Sequence, residues 1–170
     1  MCTLTAAIAK ECKSGKSGLS DLWMVETNSG DSFTLTGEVV TAMTLADSRA
    51  FFSWKFSKDS AKKDQDIVSN IETGTTTFVH KLALKFYKYE TTKRNEIKLA
   101  AQSSLMAIVK DHNGKYWLLG KDRGLDMQPS TSTSGAKIGD FNGFELSFMS
   151  EELDAIIEVD AATIASLSLS

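Results

Sequence analysis

The sequence is poor in the residues that carry most enzyme chemistry. Its 170 residues include two histidines, two cysteines and one proline. Cys2 and Cys12 are too few to complete a tetrahedral zinc site without other ligands, and their spacing matches no common zinc motif. We therefore interpret them as two reduced thiols of a protein assembled in the cytoplasm. A single proline also argues against proline-rich linkers between domains.

The chain also lacks a basic excess and a long apolar run. Its net charge of −3 gives no basic face of the kind that nucleic-acid-binding proteins present, although DNA would pass such a surface without sticking. No apolar run approaches the roughly 20 residues of a membrane-spanning helix, and the first residues do not form a signal peptide. We therefore expect one domain, residues 1–170, without a membrane partner.

Catalytic motifs are equally scarce. His80 lies among apolar residues and His112 lies in a turn, so the sequence offers no Ser-His-Asp set and no G-x-S-x-G motif. The C-terminal carboxylates lack the spacing of a calcium loop, and we interpret them as a solvated acidic rim. These carboxylates are Glu151, Glu152, Asp154 and Glu158. We predict a core or interface role for His80, no enzyme activity, no cofactor and no metal site.

The sequence is rich, by contrast, in the alternating apolar residues that are typical of strands. The clearest stretch is Ser104–Gly124, where two apolar runs flank Asn113-Gly114. We expect a β-hairpin there, with a type I′ turn and a first strand buried on both faces. Gly74–Glu90 predicts a strand of about 45 Å, which either leaves the core of its subunit or bends across two sheets.

The remaining elements complete a mainly β prediction. Arg49–Phe56 alternates like a strand with Phe51 on its polar face, and Lys58–Asp66 is polar enough for a solvated loop. Thr91–Ser103 is the one helix that the pattern indicates, capped by a threonine. Phe144–Phe148 alternates again. The predicted fold is a β-sandwich or barrel flanked by one α-helix.

Two segments are unusual for a self-contained domain of this kind. Residues 1–20 predict an N-terminal arm, and residues 121–143 predict a long loop rich in serine, threonine and glycine. A loop of that composition cannot build a core, so we expect it to become ordered on a neighbouring subunit. The residues predicted to supply its apolar contacts to that neighbour are Leu125, Met127, Ile138 and Phe141.

The C-terminal half also resembles a known group of proteins. The segments that carry the resemblance are Asp111–Gly120, Gly124-Leu125, Gly139–Phe144 and Ser150–Glu152, together with Cys2–Thr5, Cys12 and Gly18 near the N-terminus. They are similar to virion structural proteins of phages infecting Bacteroidetes-type bacteria, the tail-tube-like proteins in particular. The similarity covers about half of the chain and excludes its middle third.

This resemblance implies a function in assembly. Tail-tube-like proteins form hexameric rings, which stack into a tube through which DNA passes, and they contact other virion tail proteins. The implied location is the virion tail, after assembly in the host cytoplasm. Two alternatives remain open: another virion ring protein such as a tail terminator, neck or baseplate protein, and a small β-barrel ligand-binding module or unrecognised hydrolase.

Overall fold

The computed structural model describes residues 6–8, 15–167 and 169, so Cys2 and Cys12 lie outside the described residues. Within these ranges the chain forms strands β1 (Leu19–Glu26), β2 (Ser32–Thr36), β3 (Val39–Thr44), β4 (Phe52–Ser53), β5 (Ala61–Asn70), β6 (Thr75–Tyr87), β7 (Leu105–Asp111), β8 (Tyr116–Leu119), β9 (Asp126–Met127), β10 (Thr131–Thr133), β11 (Gly143–Glu152) and β12 (Ile157–Val159). Its helices are α1 (Thr91–Ala100) and α2 (Ala161–Ser166).

Two sheets pack face to face to form the body of the protein. The seven-stranded sheet has the order β2-β3-β12-β8-β7-β1-β4, and the five-stranded sheet has the order β10-β11-β6-β5, with β9 also paired to β11. Apolar side chains of both sheets share one core, among them Leu22 and Val109 from the first sheet and Leu82 and Phe148 from the second. The predicted mainly β fold is therefore confirmed, as a sandwich.

The seven-stranded sheet is buried on its outer face as well. Phe51 and Ile164 pack on that face and form a second core with outer-face residues of the sheet's own strands, among them β3, β8 and β12. Successive residues of β7 consequently enter different cores, with Ala107 facing the other sheet and Ile108 facing the second core. This arrangement confirms that β7 is buried on both faces and explains its nearly continuous apolar sequence.

The β7–β8 hairpin is confirmed, but its predicted type I′ turn is wrong. Gly114 has a φ of +83°, whereas Asn113 does not have a positive φ. The carboxylate of Asp111 accepts hydrogen bonds from the backbone N–H groups of Asn113 (2.8 Å) and Lys115 (3.0 Å). These bonds favour a type I turn followed by a left-handed glycine, which is the usual form of a three-residue hairpin loop.

The main errors of the sequence prediction lie between residues 49 and 70. The predicted loop Lys58–Asp66 is wrong from residue 61 onward, because β5 pairs with β6 along its whole length. β5 lies at the edge of a sheet and carries many charged side chains, so its sequence lacks the alternation of apolar and polar residues that predicts a strand. The predicted strand Arg49–Phe56 contains only the two residues of β4, and Phe51 is fully buried rather than on a polar face.

The other predicted elements agree more closely with the structure. β6 occupies most of the predicted strand Gly74–Glu90 and stays within one sheet. α1 ends three residues before the predicted Ser103, and its N-cap is Glu90, which makes no capping side-chain bond. The C-terminal tail, which had no assignment, contains α2. In the described ranges, neither helix is long and apolar enough to cross a membrane.

Candidate functional site

The β5–β6 hairpin extends beyond the sheet to which it belongs. β11 pairs with β6 from Tyr87 as far as Phe78, where it ends at Glu152. β5 and β6 continue past that point as three further residue pairs, from Val68↔Thr77 to Asn70↔Thr75, joined by a turn. We call residues 68–77 the ribbon. Its paired part is about 10 Å long at the usual rise of a strand.

The end of this hairpin exposes apolar side chains. Ile71 is 96% exposed in the turn, and Ile67 and Val68 are 65% and 50% exposed just before it. The turn itself is well defined, since the Asn70 side chain accepts hydrogen bonds from the backbone N–H groups of Glu72 (2.9 Å) and Thr73 (3.3 Å). The ribbon is therefore an ordered projection with an apolar end, and such features mark interaction surfaces.

The sequence analysis does not predict the ribbon, because it predicts no element for residues 67–73. A signal was present, since the apolar residues Ile67, Val68 and Ile71 stand directly before a turn cluster and a long predicted strand. The prediction that the long strand either leaves its core or bends across two sheets is resolved in favour of the first. Its first residues lie in the ribbon, whereas His80, Leu82, Leu84 and Phe86 are buried.

The four residues predicted to contact a neighbour do not form one surface. Leu125 is fully buried in the core between the sheets, where it exchanges two backbone hydrogen bonds with Leu105 (2.6 and 3.0 Å). Leu125 is therefore a wrong choice as an inter-subunit contact, because it leaves no side-chain surface for a partner. Met127 is half-buried against the same core. Ile138 is fully exposed, and Phe141 packs edge-on against Tyr87 with ring centroids 5.6 Å apart.

Residues 121–143 are also more ordered than a free loop. β9 and β10 both pair with β11, and the Asp140 carboxylate accepts hydrogen bonds from the backbone N–H groups of Ala136 (3.0 Å) and Lys137 (2.8 Å). Those two bonds hold the pKa of Asp140 below its usual value. Much of the segment is thus stabilised within its own subunit, and Met127, Ile138 and Phe141 remain its predicted contacts to a neighbour.

The predicted acidic rim is wrong for Glu152, which is only 1% exposed. Its carboxylate accepts hydrogen bonds from the backbone N–H of Asp122 (3.0 Å), from that of Arg123 (3.2 and 3.3 Å) and from the Ser150 hydroxyl. A buried carboxylate needs several such donors. Glu152 therefore anchors the turn that follows β8, which is a structural role.

His80 lies beside this carboxylate and is satisfied by the main chain. Its Nε2 is 3.0 Å from the carbonyl oxygen of Asp154, and the backbone N–H of Gly120 points to its Nδ1 at 3.5 Å. Burial lowers the pKa of His80, although the charges of Glu152 and Asp122 oppose this effect. These contacts fit a neutral ring that donates from Nε2. They agree with the predicted core role of His80.

Ser150, His80 and Glu152 have the composition of a hydrolytic triad but not its geometry. The serine hydroxyl bonds to the glutamate, and both ring nitrogens of the histidine face main-chain groups. Nucleophilic catalysis requires a serine that bonds to the histidine base and is open to substrate. Ser150 is buried and its partner is a carboxylate, so this cluster does not provide an activated nucleophile.

A second polar cluster joins the inner part of β5 to the opposite sheet. The Lys63 ammonium lies 4.3 Å from the centroid of the Trp117 ring, and the indole N–H of Trp117 donates to the Asp111 carboxylate at 3.0 Å. Burial lowers the pKa of Lys63, and the negative charge of Asp111 opposes that shift. A lysine stacked on an indole is a stabilising cation–π contact, which fixes the base of the β5–β6 hairpin.

An apolar groove lies between α1 and the edge of the seven-stranded sheet. It is a cavity of about 380 Å³ lined mainly by Phe52, Trp54, Phe86 and Ile97. Lys55, Lys93 and Glu96 also line it. Phe52 is more than half exposed there. The groove is therefore a second exposed apolar surface, separate from the ribbon.

No family model matches this chain, no curated protein is significantly similar to it, and no solved structure matches its fold. Among the described residues, no three His, Asp or Glu side chains converge as a metal site would require. The features that remain for a functional interpretation are the ribbon and the groove.

Proposed function

We propose that this protein is a structural subunit of a phage tail tube, which assembles into stacked, hexameric rings around a channel for DNA. The observation that carries the proposal is the ribbon with its exposed Val68 and Ile71, next to the exposed Ile67. A two-stranded hairpin in water is only marginally stable by itself. An ordered ribbon that ends in apolar side chains is well suited to a partner that covers it.

The energetics favour such a contact. Complete burial of an isoleucine or valine side chain contributes about 1.5 to 3 kcal/mol relative to its exposed state. The three apolar side chains near the end of the hairpin are 50–96% exposed. Docking them on a partner would therefore supply several kcal/mol. That amount offsets a substantial part of the entropy that association costs.

The shape of the subunit favours rings and tubes over closed dimers. A projecting ribbon that binds a different surface of the next copy makes a head-to-tail contact, which closes into a ring or continues as a filament. The outer edge of β5, unpaired in the described part of the chain, could add backbone hydrogen bonds to a neighbour. Such an edge suits a protein that works as an assembly.

The assignment to a tail tube comes from the sequence resemblance described above. The sandwich fold with a flanking helix agrees with what that resemblance implies. A net charge of −3 supplies no basic surface that would retain DNA during passage. The proposal places the protein in the virion tail, with other tail proteins as its partners, and assigns it no enzymatic role. Other virion ring proteins are a variant of the same proposal.

The groove supports one alternative of a different class, a small ligand-binding module. Its volume of about 380 Å³ is at the lower end of the usual range of ligand pockets, about 300–1,000 Å³. A binding module would remain monomeric at high concentration, whereas a tube subunit would form rings or filaments. The assembly state of the purified protein therefore separates the two functions.

The deciding experiment removes the ribbon without disturbing the sheet. Residues 68–77 are replaced by an Asn-Gly turn between Ile67 and Phe78, which are paired across the hairpin. Light scattering and negative-stain microscopy are expected to show rings or tubes for the wild-type protein and folded monomers for the variant. A wild-type protein that stays monomeric at high concentration would disprove the proposal.

Point variants separate the ribbon from general effects of surface charge. Ile71→Asp is expected to lower the apparent association constant about thirtyfold or more, as loss of a central apolar contact does. Leu35→Asp is the matched control, since Leu35 is an exposed apolar residue on a different edge strand, β2. Ile138→Asp tests the predicted contact of the 121–143 segment in the same assay.

A further inference from the structure

We propose that the groove between α1 and β4 is the receptor for the ribbon of a second copy of this chain. The inference rests on the proposed self-assembly and adds the surface that receives the ribbon. In each contact, Ile71 and its turn would enter the groove beside Phe52 and Trp54. Each subunit would thus donate one ribbon and accept another.

The position of the two surfaces supports this pairing. The N-terminal end of β6 lies in the ribbon. Phe86 lies near the C-terminal end of the same strand and lines the groove. Thr75 and Phe86 are eleven positions apart in the strand, a distance of about 36 Å at the usual rise. The ribbon of a subunit therefore points away from its own groove, and the contact has to join different copies. Donor and acceptor at opposite ends generate a head-to-tail chain of subunits.

The chemistry of the two surfaces is complementary. The apolar end of the hairpin meets a groove whose walls are aromatic and aliphatic. Glu72 is the only charged residue between Ile67 and Thr77. The groove carries Lys55 and Lys93, whose ammonium groups each lie 3.4 Å from a carboxylate of the same subunit, Asp21 and Glu90 respectively. These ion pairs are exposed, with lysine side chains 76% and 36% accessible, and such pairs are weak. The carboxylate of an incoming Glu72 would therefore share Lys55 or Lys93 with its present partner.

The turn is also prepared for docking. Asn70 already bonds the backbone of Glu72 and Thr73, and the hydroxyls of Thr73 and Thr75 lie 2.8 Å apart. These bonds hold Ile71 outward before any partner is present. An element that is ordered before binding loses less conformational entropy when it docks. This suits an apolar anchor that enters a cavity of about 380 Å³.

Disulfide trapping between two variants tests the contact directly. Both variants carry Cys2→Ser and Cys12→Ser; one also carries Ile71→Cys and the other Phe52→Cys. Mild oxidation of the mixture is expected to give a covalent dimer, at least tenfold above that of either variant alone. Leu35→Cys replaces Phe52→Cys in the matched control and is expected to give background only. Equal trapping by Leu35→Cys would overturn the inference.

Charge exchange provides a second test without a new covalent bond. Glu72→Lys is expected to weaken assembly about fivefold, which corresponds to an exposed ion pair worth about 1 kcal/mol. Lys55→Glu also removes the exposed ion pair with Asp21 and is expected to weaken assembly at least as much. The double variant is expected to recover most of the loss from Glu72→Lys. Circular dichroism confirms that each variant is folded. Losses that simply add in the double variant would contradict the proposed pairing.

The outcomes distinguish this inference from the proposed function. Phe52→Asp is expected to give folded monomers, as removal of the ribbon does. If removal of the ribbon abolishes assembly while Phe52→Asp assembles normally, the groove is not the receptor and the proposed function stands. If the wild-type protein does not assemble at all, both proposals are wrong.

Discussion

Two of the hairpins in the described part of the chain, β7–β8 and β5–β6, differ in where they place their apolar residues. The β7–β8 hairpin lies in the middle of the seven-stranded sheet, and Ile108 and Leu118 are completely or almost completely buried in it. The β5–β6 hairpin lies at a sheet edge, and Ile67 and Ile71 near its turn are mainly exposed. The same supersecondary unit is therefore used once to build the core and once to project from it.

The turns of the two hairpins also differ in the hydrogen bonds that hold them. Asp111 fixes the β7–β8 turn, and the side chain of Asn113 in that turn holds Lys16 through two further bonds of 2.8 and 2.9 Å. The β5–β6 turn is fixed only from within, by Asn70. Both hairpins are ordered, but only the second presents apolar surface to solvent. This contrast is the reason why we propose that a partner covers the β5–β6 hairpin.

Truncation of one isoleucine in each hairpin is expected to give the largest difference. Ile108→Ala leaves a cavity between the seven-stranded sheet and its second core, at a cost of about 2 to 5 kcal/mol. Ile71→Ala is expected to change the free energy of unfolding of the monomer by less than about 0.5 kcal/mol. Urea unfolding at low protein concentration measures both. A large loss for Ile71→Ala under those conditions would mean that the ribbon is packed within its own subunit.

Left-handed glycines offer a second, smaller comparison. Gly120, after β8, has a φ of +70°, and an added Cβ would lie 2.8 Å from the carbonyl oxygen of Leu105. Gly120→Ala is therefore expected to cost about 3 kcal/mol, from backbone strain and steric overlap together. Gly74, in the ribbon turn, has a φ of +66° with open space around it, so Gly74→Ala is expected to cost about 1 kcal/mol.

Thermal unfolding of the two alanine variants measures this difference. Gly114→Ala is a useful third variant, because Gly114 has a φ of +83° in the β7–β8 turn and also open space around it. It is expected to behave like Gly74→Ala, which would assign the extra loss at Gly120 to its close neighbours. Equal losses for all three variants would show that backbone strain alone determines the cost.

The sequence predicted the buried β7–β8 hairpin better than the exposed β5–β6 hairpin. Val109 and Leu119 belong to runs in which burial leaves a clear apolar signal, so β7, β8 and the sandwich fold were predictable. β5 was not, because Lys62 and Asp64 are charged residues at the edge of a sheet, where pairing with β6 determines the strand. Edge strands carry such charges against aggregation, and the same charges resemble those of a loop.

The burial of Glu152 was not predicted for a related reason. Glu152 stands among other acidic residues in the sequence, which is typical of a solvated surface. Its burial depends on backbone N–H groups of residues 122 and 123, about thirty positions away, and only the fold brings them together. Leu125 was misplaced likewise, since its serine- and glycine-rich surroundings suggested an exposed loop. Local composition describes a segment, whereas long-range pairing determines whether a residue is buried.

The two histidines give the smallest difference that we expect between the hairpins. His80 is buried in β6, and burial lowers its pKa, so the folded protein favours the neutral ring more than the unfolded chain does. In the unfolded chain the same ring takes up a proton as the pH falls below about 6.5. The stabilisation from neutral His80 is therefore complete above that pH and decreases below it. The decrease is at most about 1.4 kcal/mol per pH unit for one proton.

The free energy of unfolding, measured between pH 8 and pH 5.5, reports this contribution as a slope against pH. His80→Gln is expected to flatten the acid decrease, even if it lowers stability at every pH by disturbing the bonds to Asp154 and Gly120. His112→Gln is the matched control, because His112 is exposed in the β7–β8 turn, and its profile is expected to parallel that of the wild-type protein. If His112→Gln flattens the profile and His80→Gln does not, the acid sensitivity does not come from the buried part of β6. In the expected case, β6 is held just beyond the ribbon, where it enters the core, by a histidine whose neutral form stabilises the fold.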